Sequence, residues 1–362
     1  MKKILIINTA GLGVGGITTH MENYLSKIDY SKAEINIVST ICEDKHAIDI
    51  FERYGCNIIR LPNRMKNPIA YFMALANTLK RSHYNVAHVH GSSCTILLEL
   101  YLLKKYDVEV RIAHSHNTTC SFKLIHYCCK PFMHYYYNKA FACSMQAGKW
   151  MFGKRLFEIL HNVFDYHKYA YSEETRINKR KELNIKDDEL ASCVIGNLTK
   201  QKNQQFALSL FSLLDIKKKS QLFIIGSGPM LSDLKAIAKE IHRCEDVIFM
   251  GARNDVQELL QAFDIYLMPS KWEGLPMALM EAQASGILCF VSDKITQEAK
   301  ICNDIQFLSL NSMKIWAKEI KLSLKKAQPI YRKERSLEAE ALLKENYEIN
   351  IEFPKLRQSY KL

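Results

Sequence analysis

The sequence lacks the features that mark membrane-spanning and disulfide-stabilised proteins. In 362 residues, no uninterrupted apolar run reaches the roughly 18 residues that a spanning helix needs. The eleven cysteines are scattered without a C-x-x-C pair, which fits neither a zinc site nor a disulfide framework and favours reduced thiols in the cytoplasm. The apolar run at residues 4–7 is too short for a signal peptide.

Acidic residues are also scarce relative to basic ones. The chain has 38 Asp and Glu against 50 Lys and Arg, a net charge of +12. A basic chain suits an anionic partner, but it contains no nucleic-acid recognition motif, so an anionic nucleotide or membrane surface is expected instead. Segment 122–139 interleaves aromatic and basic residues, which is typical of an interfacial segment. A half-buried helix with snorkelling lysines is the alternative.

The length and the 48% hydrophobic content suit two domains with substantial cores. Strand and helix patterns alternate in both halves, which predicts two α/β domains with doubly wound parallel sheets. We expect a first domain at 1–166, a second at 167–330, and a helical tail at 331–362 that packs back on the first. The predicted strands are 3–8, 34–40, 57–61, 86–90, 110–114, 140–143, 191–197, 221–225, 247–250, 265–268 and 287–291.

Segment 270–286 carries the clearest site pattern. It follows a buried-strand pattern, Pro276 suits the first turn of a helix, and Gly286 suits its end. Such a turn directs free backbone N–H groups and the positive end of a helix dipole outward, which suits a phosphate. Glu281 lies five residues beyond Pro276, roughly 7–8 Å along the axis, the reach from phosphates to a ribose. Glu273 and Glu281 could alternatively flank an ordinary amphipathic helix.

With its flanks, this segment resembles the donor-binding signature of the retaining family-4 glycosyltransferases (glycosyl transferases group 1), which have the GT-B fold. Glu273 and Glu281 match the family's Glu-x7-Glu motif. The resemblance spans most of the chain and is strongest over 194–293. It implies two tandem Rossmann-like domains facing across a cleft, and relatives that build bacterial exopolysaccharide or capsule. It assigns Glu281 to the ribose and Glu273 to the sugar side, and it adds three donor-binding turn residues: Gly274, Leu275 and Pro276.

The glycine-rich loop at 9–17 has two interpretations. Its glycines spell G-x-G-x-x-G between a strand and a helix, which is a nicotinamide-cofactor pattern. That fingerprint also requires an acidic residue closing the second strand, and here Glu43 and Asp44 lie past its end. Gly15 and Gly16 instead resemble the family's Gly-Gly loop, whose backbone approaches the donor phosphates because glycine lacks a Cβ.

Histidines follow two predicted strands, at the sheet edge where ligands bind. Alternating histidines could suggest zinc, but no cysteine or carboxylate is suitably spaced, so no metal is expected. Structural histidines that hold loops are the alternative. The resemblance makes His114 a catalytic candidate on the acceptor side, in addition to the catalytic candidates Glu273 and Lys202. His90 and His116 are further acceptor-side candidates.

Segment 195–203 opens the second domain. In the family, an arginine follows the glycine and a lysine comes five residues later, and both bind the diphosphate. Lys202 matches the lysine, whereas Asn197 stands in the arginine position. The missing charge-assisted contact is worth roughly 1.5–3 kcal/mol, and Lys200 or Arg253 would have to supply it instead. The turns that follow two predicted strands add the donor-side candidates Gly226, Gly228, Gly251 and Arg253. The preference of tight turns for glycine is the alternative explanation of these glycines.

The resemblance implies a retaining, metal-independent hexosyltransferase without a cofactor. It would transfer sugar from a nucleotide-diphosphate sugar, with UDP the expected nucleotide, to a growing polysaccharide or lipid-linked oligosaccharide. Helix N-termini, the Gly16 N–H and Lys202 would stabilise the leaving diphosphate. The alternatives are an inactive GT-B scaffold, suggested by Asn197, a sugar-nucleotide epimerase of the same architecture, and a dehydrogenase. The expected location is the cytoplasm, at the inner face of the plasma membrane.

Overall fold

The computed structural model describes residues 1–13, 15–40, 45–214, 219–241 and 243–362. Glu43 and Asp44 lie outside these residues. The chain divides into two compact units: unit 1 comprises Met1–Phe164 and Tyr347–Leu362, and unit 2 comprises Asp165–Asn346. The first boundary lies close to the expected residue 166, but unit 2 extends past residue 330. Only the last part of the expected tail at 331–362 belongs to unit 1.

Unit 1 is built on a parallel sheet of seven strands. Its strands are β1 (Lys2–Asn8), β2 (Ala33–Ser39), β3 (Asn57–Arg60), β4 (Val86–Gly91), β5 (Val110–Ser115), β6 (Lys139–Ala142) and β7 (Glu158–Ile159). Its first six helices are α1 (Gly16–Leu25), α2 (Lys45–Arg53), α3 (Pro68–Arg81), α4 (Leu97–Lys105), α5 (Lys123–Met133) and α6 (Met145–Phe152). The strand order is β3-β2-β1-β4-β5-β6-β7.

Unit 2 is built on a parallel sheet of six strands. Its strands are β8 (Leu190–Ile195), β9 (Ser220–Ile225), β10 (Val247–Gly251), β11 (Ile265–Met268), β12 (Leu288–Ser292) and β13 (Gln306–Leu308). Its helices are α7 (Glu173–Glu182), α8 (Gln204–Leu213), α9 (Leu231–Glu240), α10 (Val256–Ala262), α11 (Met277–Ala284), α12 (Met313–Ser323) and α13 (Pro329–Asn346). The strand order is β10-β9-β8-β11-β12-β13.

The chain ends with helix α14 (Ile349–Tyr360), which belongs to unit 1. Its Leu356 and Tyr360 are buried in the hydrophobic core of that unit. Helix α13 belongs to unit 2 because Arg332 is fully buried there and donates to backbone carbonyls that include Ser285 O and Leu260 O. The expected tail is therefore two helices with different partners.

Both sheets have the doubly wound topology that the alternating patterns predicted, so the predicted fold class is confirmed. Central strands of such sheets are buried on both faces and read as continuous apolar runs, as in Ile4–Ile7 of β1. The strand order reverses between β1 and β4 in unit 1 and between β8 and β11 in unit 2. Ligands of doubly wound sheets bind beyond the strand ends at these switch points.

A few elements differ from the predictions. Helix α11 begins at Met277, so Pro276 is its N-cap rather than its first turn. Strands β7 and β13 and helix α7 were not predicted, and the aromatic and basic segment after residue 122 contains helix α5. Among the described residues, no helix is long and apolar enough to cross a membrane.

Candidate active site

Two loops at the switch point of unit 2 bring Lys202 and Glu273 together. Lys202 follows β8, and Glu273 lies between β11 and α11. The Lys202 Nζ lies 2.7 Å from Glu273 Oε1, and Gln201 Nε2 donates to Glu273 Oε2 at 3.2 Å. Glu273 is only 7% exposed, whereas the Lys202 side chain is 20% exposed. A buried carboxylate requires such hydrogen-bonding and charged partners. The Lys202 side chain, which is the more exposed of the pair, remains within reach of a ligand.

Backbone contacts tie these two loops to each other. The backbone N–H of Lys271 donates to Gln201 O at 2.8 Å, and Asn203 Nδ2 donates to Pro269 O at 3.0 Å. Asn203 has a φ of +56°, in the left-handed region that asparagine tolerates better than most residues, and it occupies the N-cap position of α8. The loop containing Lys202 is thus positioned by the loop containing Glu273.

Gly196, the first residue after β8, makes room for the Lys202 side chain. A Cβ at Gly196 would lie 3.2 Å from Lys202 Cε and 3.6 Å from its Nζ. Gly196 also has a φ of +140°, which side chains disfavour. The glycine therefore allows the lysine to lie across the end of the strand.

Glu281 lies on α11 and is only partly exposed. Burial raises the pKa of its carboxyl to about 7, while a hydrogen bond with Tyr169 and the positive charge of Lys202 oppose that rise. The carboxyl therefore changes its charge near neutral pH. The electrostatic effect of Lys202 also links Glu281 to the Lys202–Glu273 pair.

The turn before α11 is buried throughout residues 273–277. Gly274, Leu275 and Pro276, all predicted to bind the donor, lie in this turn. Pro276 provides no side-chain cap for the helix. The first N–H groups of a helix have no acceptor in a preceding turn of the same helix. The N-terminus of α11 therefore has the partial positive charge that suits an anion.

Asn197 and Arg253 have different surroundings. Asn197 is exposed, and its backbone O accepts from Gln204 Nε2 at 3.0 Å. Arg253 donates from Nε and Nη2 to the two carboxylate oxygens of Asp255, at 2.8 and 2.7 Å. Asp255 also accepts from Lys179 at 3.1 Å. The Arg253 guanidinium is thus engaged by a neighbour on its own loop rather than held ready for the contact that Asn197 lacks.

The glycines after β9 have a packing role. A Cβ at Gly226 would lie 2.1 Å from Gly196 O, and one at Gly228 would lie 2.5 Å from Leu198 O. These glycines let the loop after β9 pack against the loop after β8. Gly251 differs, because a Cβ there would meet no atom within 4 Å.

The glycine loop of unit 1 presents its backbone at the start of α1. Gly15 is the N-cap, and no side chain caps the helix. A Cβ at Gly15 would meet no atom within 4 Å. The loop is held instead by Thr18 Oγ1, which donates to Gly13 O at 2.7 Å. Gly15 and Gly16 therefore lie where a ligand could approach the N–H groups of α1.

The predicted histidines converge at the other side of the unit 1 switch point. His90 on β4 pairs in register with His114 on β5, and His116 lies two residues beyond. His90 Nδ1 lies 2.8 Å from His116 Nε2, and His88 Nε2 lies 3.1 Å from His114 Nδ1. The Nε2 of His114 is buried and has no hydrogen-bond partner among the described residues.

Two members of this cluster were missed by sequence analysis. His20 lies on α1, with its ring centroid 5.0 Å from that of His114. Tyr360 on α14 shares a hydrogen bond of 2.8 Å between its hydroxyl and His88 Nδ1. His20 lies three residues past the glycine loop at 9–17, but no spacing in the sequence connects either residue with the histidines of β4 and β5.

Burial keeps these histidines neutral. Desolvation lowers the pKa of His20 to about 3 and the pKa values of His88, His90, His114 and His116 well below the ordinary range. Repulsion from neighbouring histidines adds to this lowering in all of them except His20, where Asn162 and Glu352 oppose it. The cluster therefore offers uncharged nitrogen donors and acceptors.

Comparison with known proteins shows a family similarity in unit 2. The sequence model of glycosyl transferases group 1 matches residues 175–341, which include Lys202, Glu273 and Glu281. The matched region is thus similar to glycosyltransferases of this group, in agreement with the predicted resemblance.

Individual relatives agree with this assignment. The chain is 28% identical over 338 residues to "Putative glycosyltransferase EpsF" of Bacillus subtilis (strain 168), covering 88% of this chain and 87% of that protein. It is 26% identical over 253 residues to an Escherichia coli UDP-Gal:alpha-D-GlcNAc-diphosphoundecaprenol alpha-1,3-galactosyltransferase, covering 66% of this chain and 64% of that protein.

Solved structures show the same fold. Anabaena HepE in complex with UDP-glucose has a TM-score of 0.81 at 14% identity, with 100% of both chains covered. WaaG, a glycosyltransferase involved in lipopolysaccharide biosynthesis, has a TM-score of 0.73 at 15% identity, with 98% of both chains covered. These identities are low, so the likeness shows the GT-B fold alone.

Proposed function

We propose that the protein is a retaining glycosyltransferase that moves a hexosyl group from a UDP-sugar to a growing polysaccharide or lipid-linked oligosaccharide. The observation that carries the proposal is the contact of Lys202 with Glu273 beside Glu281, at the switch point where doubly wound sheets bind ligands. The name of the Escherichia coli relative, a UDP-Gal-dependent enzyme with a diphosphoundecaprenol acceptor, supports this choice of donor and acceptor.

In this proposal, unit 2 binds the donor. The Lys202 ammonium, held 2.7 Å from Glu273 Oε1, shifts toward the diphosphate and stabilises the charge that develops on the leaving group. The N-terminus of α11 adds partial positive charge, and Glu281 accepts hydrogen bonds from the ribose hydroxyls. Because the protein itself supplies these positive groups, the proposed transfer needs neither a metal ion nor another cofactor.

His114 is the proposed catalytic residue on the acceptor side. Its neutral ring offers Nε2, which is buried and without a partner among the described residues. This nitrogen could orient an acceptor hydroxyl, with His90 and His116 as neighbours in the same cluster. With no carboxylate assigned as a covalent nucleophile, attack on the face that the nucleotide leaves is the proposed route to retention.

Nucleotide binding tests the donor site. Calorimetric titration with UDP, GDP, ADP and NAD should show binding of UDP. Lys202→Ala should weaken it tenfold or more, because a charge-assisted contact is worth roughly 1.5–3 kcal/mol. Lys235→Ala is the matched control, since Lys235 is an exposed lysine on α9 of the same unit with no assigned role in binding. Binding of NAD alone would overturn the proposal, and binding of no nucleotide would favour the inactive scaffold.

The product tests the chemistry. Incubation with UDP-hexoses and lipid-linked saccharides, followed by NMR of the product, should show the anomeric configuration of the donor. An inverted product would refute retention without affecting donor binding. Activity that survives exhaustive chelation of metals supports the metal-independent mechanism, whereas activity restored only by added Mg²⁺ or Mn²⁺ would contradict it.

We further propose that unit 1 associates peripherally with anionic membranes through α5, at the inner face of the plasma membrane. Large apolar side chains are exposed along this helix, including Leu124 at 78%, Ile125 at 51% and Tyr127 at 57%. Lys123 at the start of the helix is also exposed. Apolar side chains beside basic residues suit the boundary between headgroups and acyl chains. Such an attachment would bring the enzyme to a lipid-linked acceptor.

Flotation with vesicles tests this attachment. The protein should float with phosphatidylglycerol vesicles and much less with phosphatidylcholine vesicles. Leu124→Glu together with Ile125→Glu should abolish flotation, whereas Leu156→Glu should not. Leu156 is a matched control because it is also in unit 1 and is 95% exposed but lies outside α5. Wild-type protein that stays at the bottom of the gradient would refute the attachment.

A further inference from the structure

Four histidines of unit 1 surround a common point. One nitrogen from each of His20, His90, His114 and His116 can be chosen so that all four lie within 4.8 Å of one another. We propose that these histidines form a binding site for a transition-metal dication of the Zn²⁺ type. The site is inhibitory rather than a source of the transfer chemistry.

The separation of the nitrogens suits such an ion after small side-chain movements. Zn–N bonds of about 2.0–2.1 Å in a tetrahedron place the ligand nitrogens about 3.3 Å apart. His90 Nδ1 and His116 Nε2 are already 2.8 Å apart. One of these two nitrogens carries the proton of their hydrogen bond. If that ring changes tautomer, the proton moves to its other nitrogen, and both facing nitrogens then have a lone pair for the metal. The other nitrogens, which lie within 4.8 Å of one another, would have to approach by at most about 1.5 Å to complete the tetrahedron.

The backbone fixes the ligand set in position. His90 and His114 are register partners on neighbouring parallel strands, and His116 follows directly beyond the end of β5. His20 reaches the same point from the middle of α1. Sites built on strands and helices are more exact than sites on loops, so the histidines need little ordering when a cation binds.

Neighbouring residues orient the His114 ring as they would in a metal site. His88 Nε2 lies 3.1 Å from His114 Nδ1, and His88 Nδ1 lies 2.8 Å from the Tyr360 hydroxyl. Histidine ligands commonly use one nitrogen for the metal and the other for such a hydrogen bond. The remaining nitrogen of His114, Nε2, is buried without a partner among the described residues. A cation would satisfy it.

The chemistry of the ligands selects the class of ion. All four rings are neutral, and metal ligation requires the neutral form. Imidazole nitrogens suit zinc, copper, nickel and iron, whereas Mg²⁺ and Ca²⁺ require oxygen ligands. The nearby Glu352 carboxylate is bound to His161 and Lys355, so it contributes only long-range attraction. His116 is the least buried of the four and gives the ion access.

The inhibitory effect rests on the proposed function, because it assumes that His114 Nε2 serves the acceptor. A cation on this nitrogen would prevent that use, so Zn²⁺ should inhibit transfer and a chelator should restore it. Binding of the cation is measured separately, without substrate. A protein that binds Zn²⁺ but has no transferase activity would refute the proposed function and leave the metal site intact.

Cobalt provides the direct test. Full-length protein is stripped with a chelator, dialysed and titrated with Co²⁺, which gives visible d–d absorption when its coordination is tetrahedral. A single saturable equivalent is expected, displaced by Zn²⁺. His20→Gln and His116→Gln should each weaken binding at least tenfold. His126→Gln is the matched control, because His126 is also buried in unit 1 but bonds to the backbone N–H of Cys94.

X-ray absorption spectroscopy of the wild-type zinc complex identifies the atoms bound to the ion. It needs no variant, so it tests the proposal even if a variant fails to fold. Four nitrogen neighbours at about 2.0–2.1 Å are expected. Sulfur at about 2.3 Å would place the ion on a cysteine such as the exposed Cys128 and overturn the proposal. Equal Co²⁺ binding by His20→Gln, His116→Gln and wild type, or no binding by wild type, would also overturn it.

Discussion

Replacement of Glu281 by glutamine should stabilise unit 2 at neutral and alkaline pH while it weakens nucleotide binding. Burial raises the pKa of the Glu281 carboxyl from 4.5 to about 7. At 1.36 kcal/mol per pH unit, ionising this carboxyl in the folded protein costs at most about 3.4 kcal/mol. Glutamine has nearly the same shape and never ionises.

The expected pH dependence has a definite sign. Between pH 4.5 and about 7, the folded protein keeps a proton on Glu281 that the unfolded chain has lost. The stabilisation that this proton provides is complete below pH 4.5 and disappears as pH rises through 7. Wild type and Glu281→Gln should therefore have similar stability near pH 5. Near pH 8 the variant should be more stable by about 2–3 kcal/mol.

Urea unfolding at pH 5 and pH 8 measures the difference in unfolding free energy between wild type and Glu281→Gln. Hydrogen exchange of peptides from unit 2 is the readout. Glu240→Gln is the matched control, because Glu240 is an exposed carboxylate on α9 of the same unit. A stability difference that is the same at both pH values would refute the raised pKa of Glu281. UDP titrations of the same proteins then test the donor role, which unchanged affinity in Glu281→Gln would contradict.

Four other substitutions separate ligand contacts from packing. Asn197→Arg should tighten UDP binding about tenfold, measured by calorimetry, because it adds a charge-assisted donor; unchanged affinity would argue against this position. Gly226→Ala should lower the melting temperature of unit 2 by several degrees, since its Cβ would lie 2.1 Å from Gly196 O. Gly15→Ala should leave the melting temperature unchanged but weaken UDP binding, because open space surrounds that Cβ; full affinity would exclude close approach of the donor. Arg332→Met should destabilise unit 2 by 3 kcal/mol or more in urea unfolding, because it removes the donor to several buried carbonyls.

The sheets could be predicted from the sequence because their strands are buried on both faces. Strands such as β8 (Leu190–Ile195) are mostly apolar runs, here between charged residues and Gly196, so this strand was predicted to within two residues. β7 and β13, with two and three residues, are too short to give such a pattern. They lie at the edges of their sheets, where pairing on one side suffices.

Helix α7 was missed because its buried face is charged. Arg176 and Arg180 are buried and form ion pairs with Asp264, at 2.6 and 3.3 Å. A hydrophobicity pattern treats arginine as exposed, whereas here each guanidinium also donates to buried carbonyls such as Ala262 O. This neutralisation depends on the position of Asp264 at the start of β11, which the sequence of α7 does not contain.

The candidate site was predictable where it is contiguous in sequence and not where it is assembled by topology. Glu273 and Glu281 lie in one motif, and Lys202 was found through the resemblance. Its contact with Glu273 depends on the adjacency of β8 and β11, which chain order alone does not reveal. The histidine cluster likewise required the register of β4 against β5, together with His20 from a helix.

The two units carry different electrostatics, and the proposed reaction needs both. In unit 2, Lys202 and the turn before α11 offer positive charge, which a departing diphosphate requires. In unit 1, burial keeps His114 neutral. A protonated imidazole could not accept a proton from an acceptor hydroxyl. The neutral cluster therefore suits the acceptor side, and the same neutrality makes its nitrogens available to a metal cation.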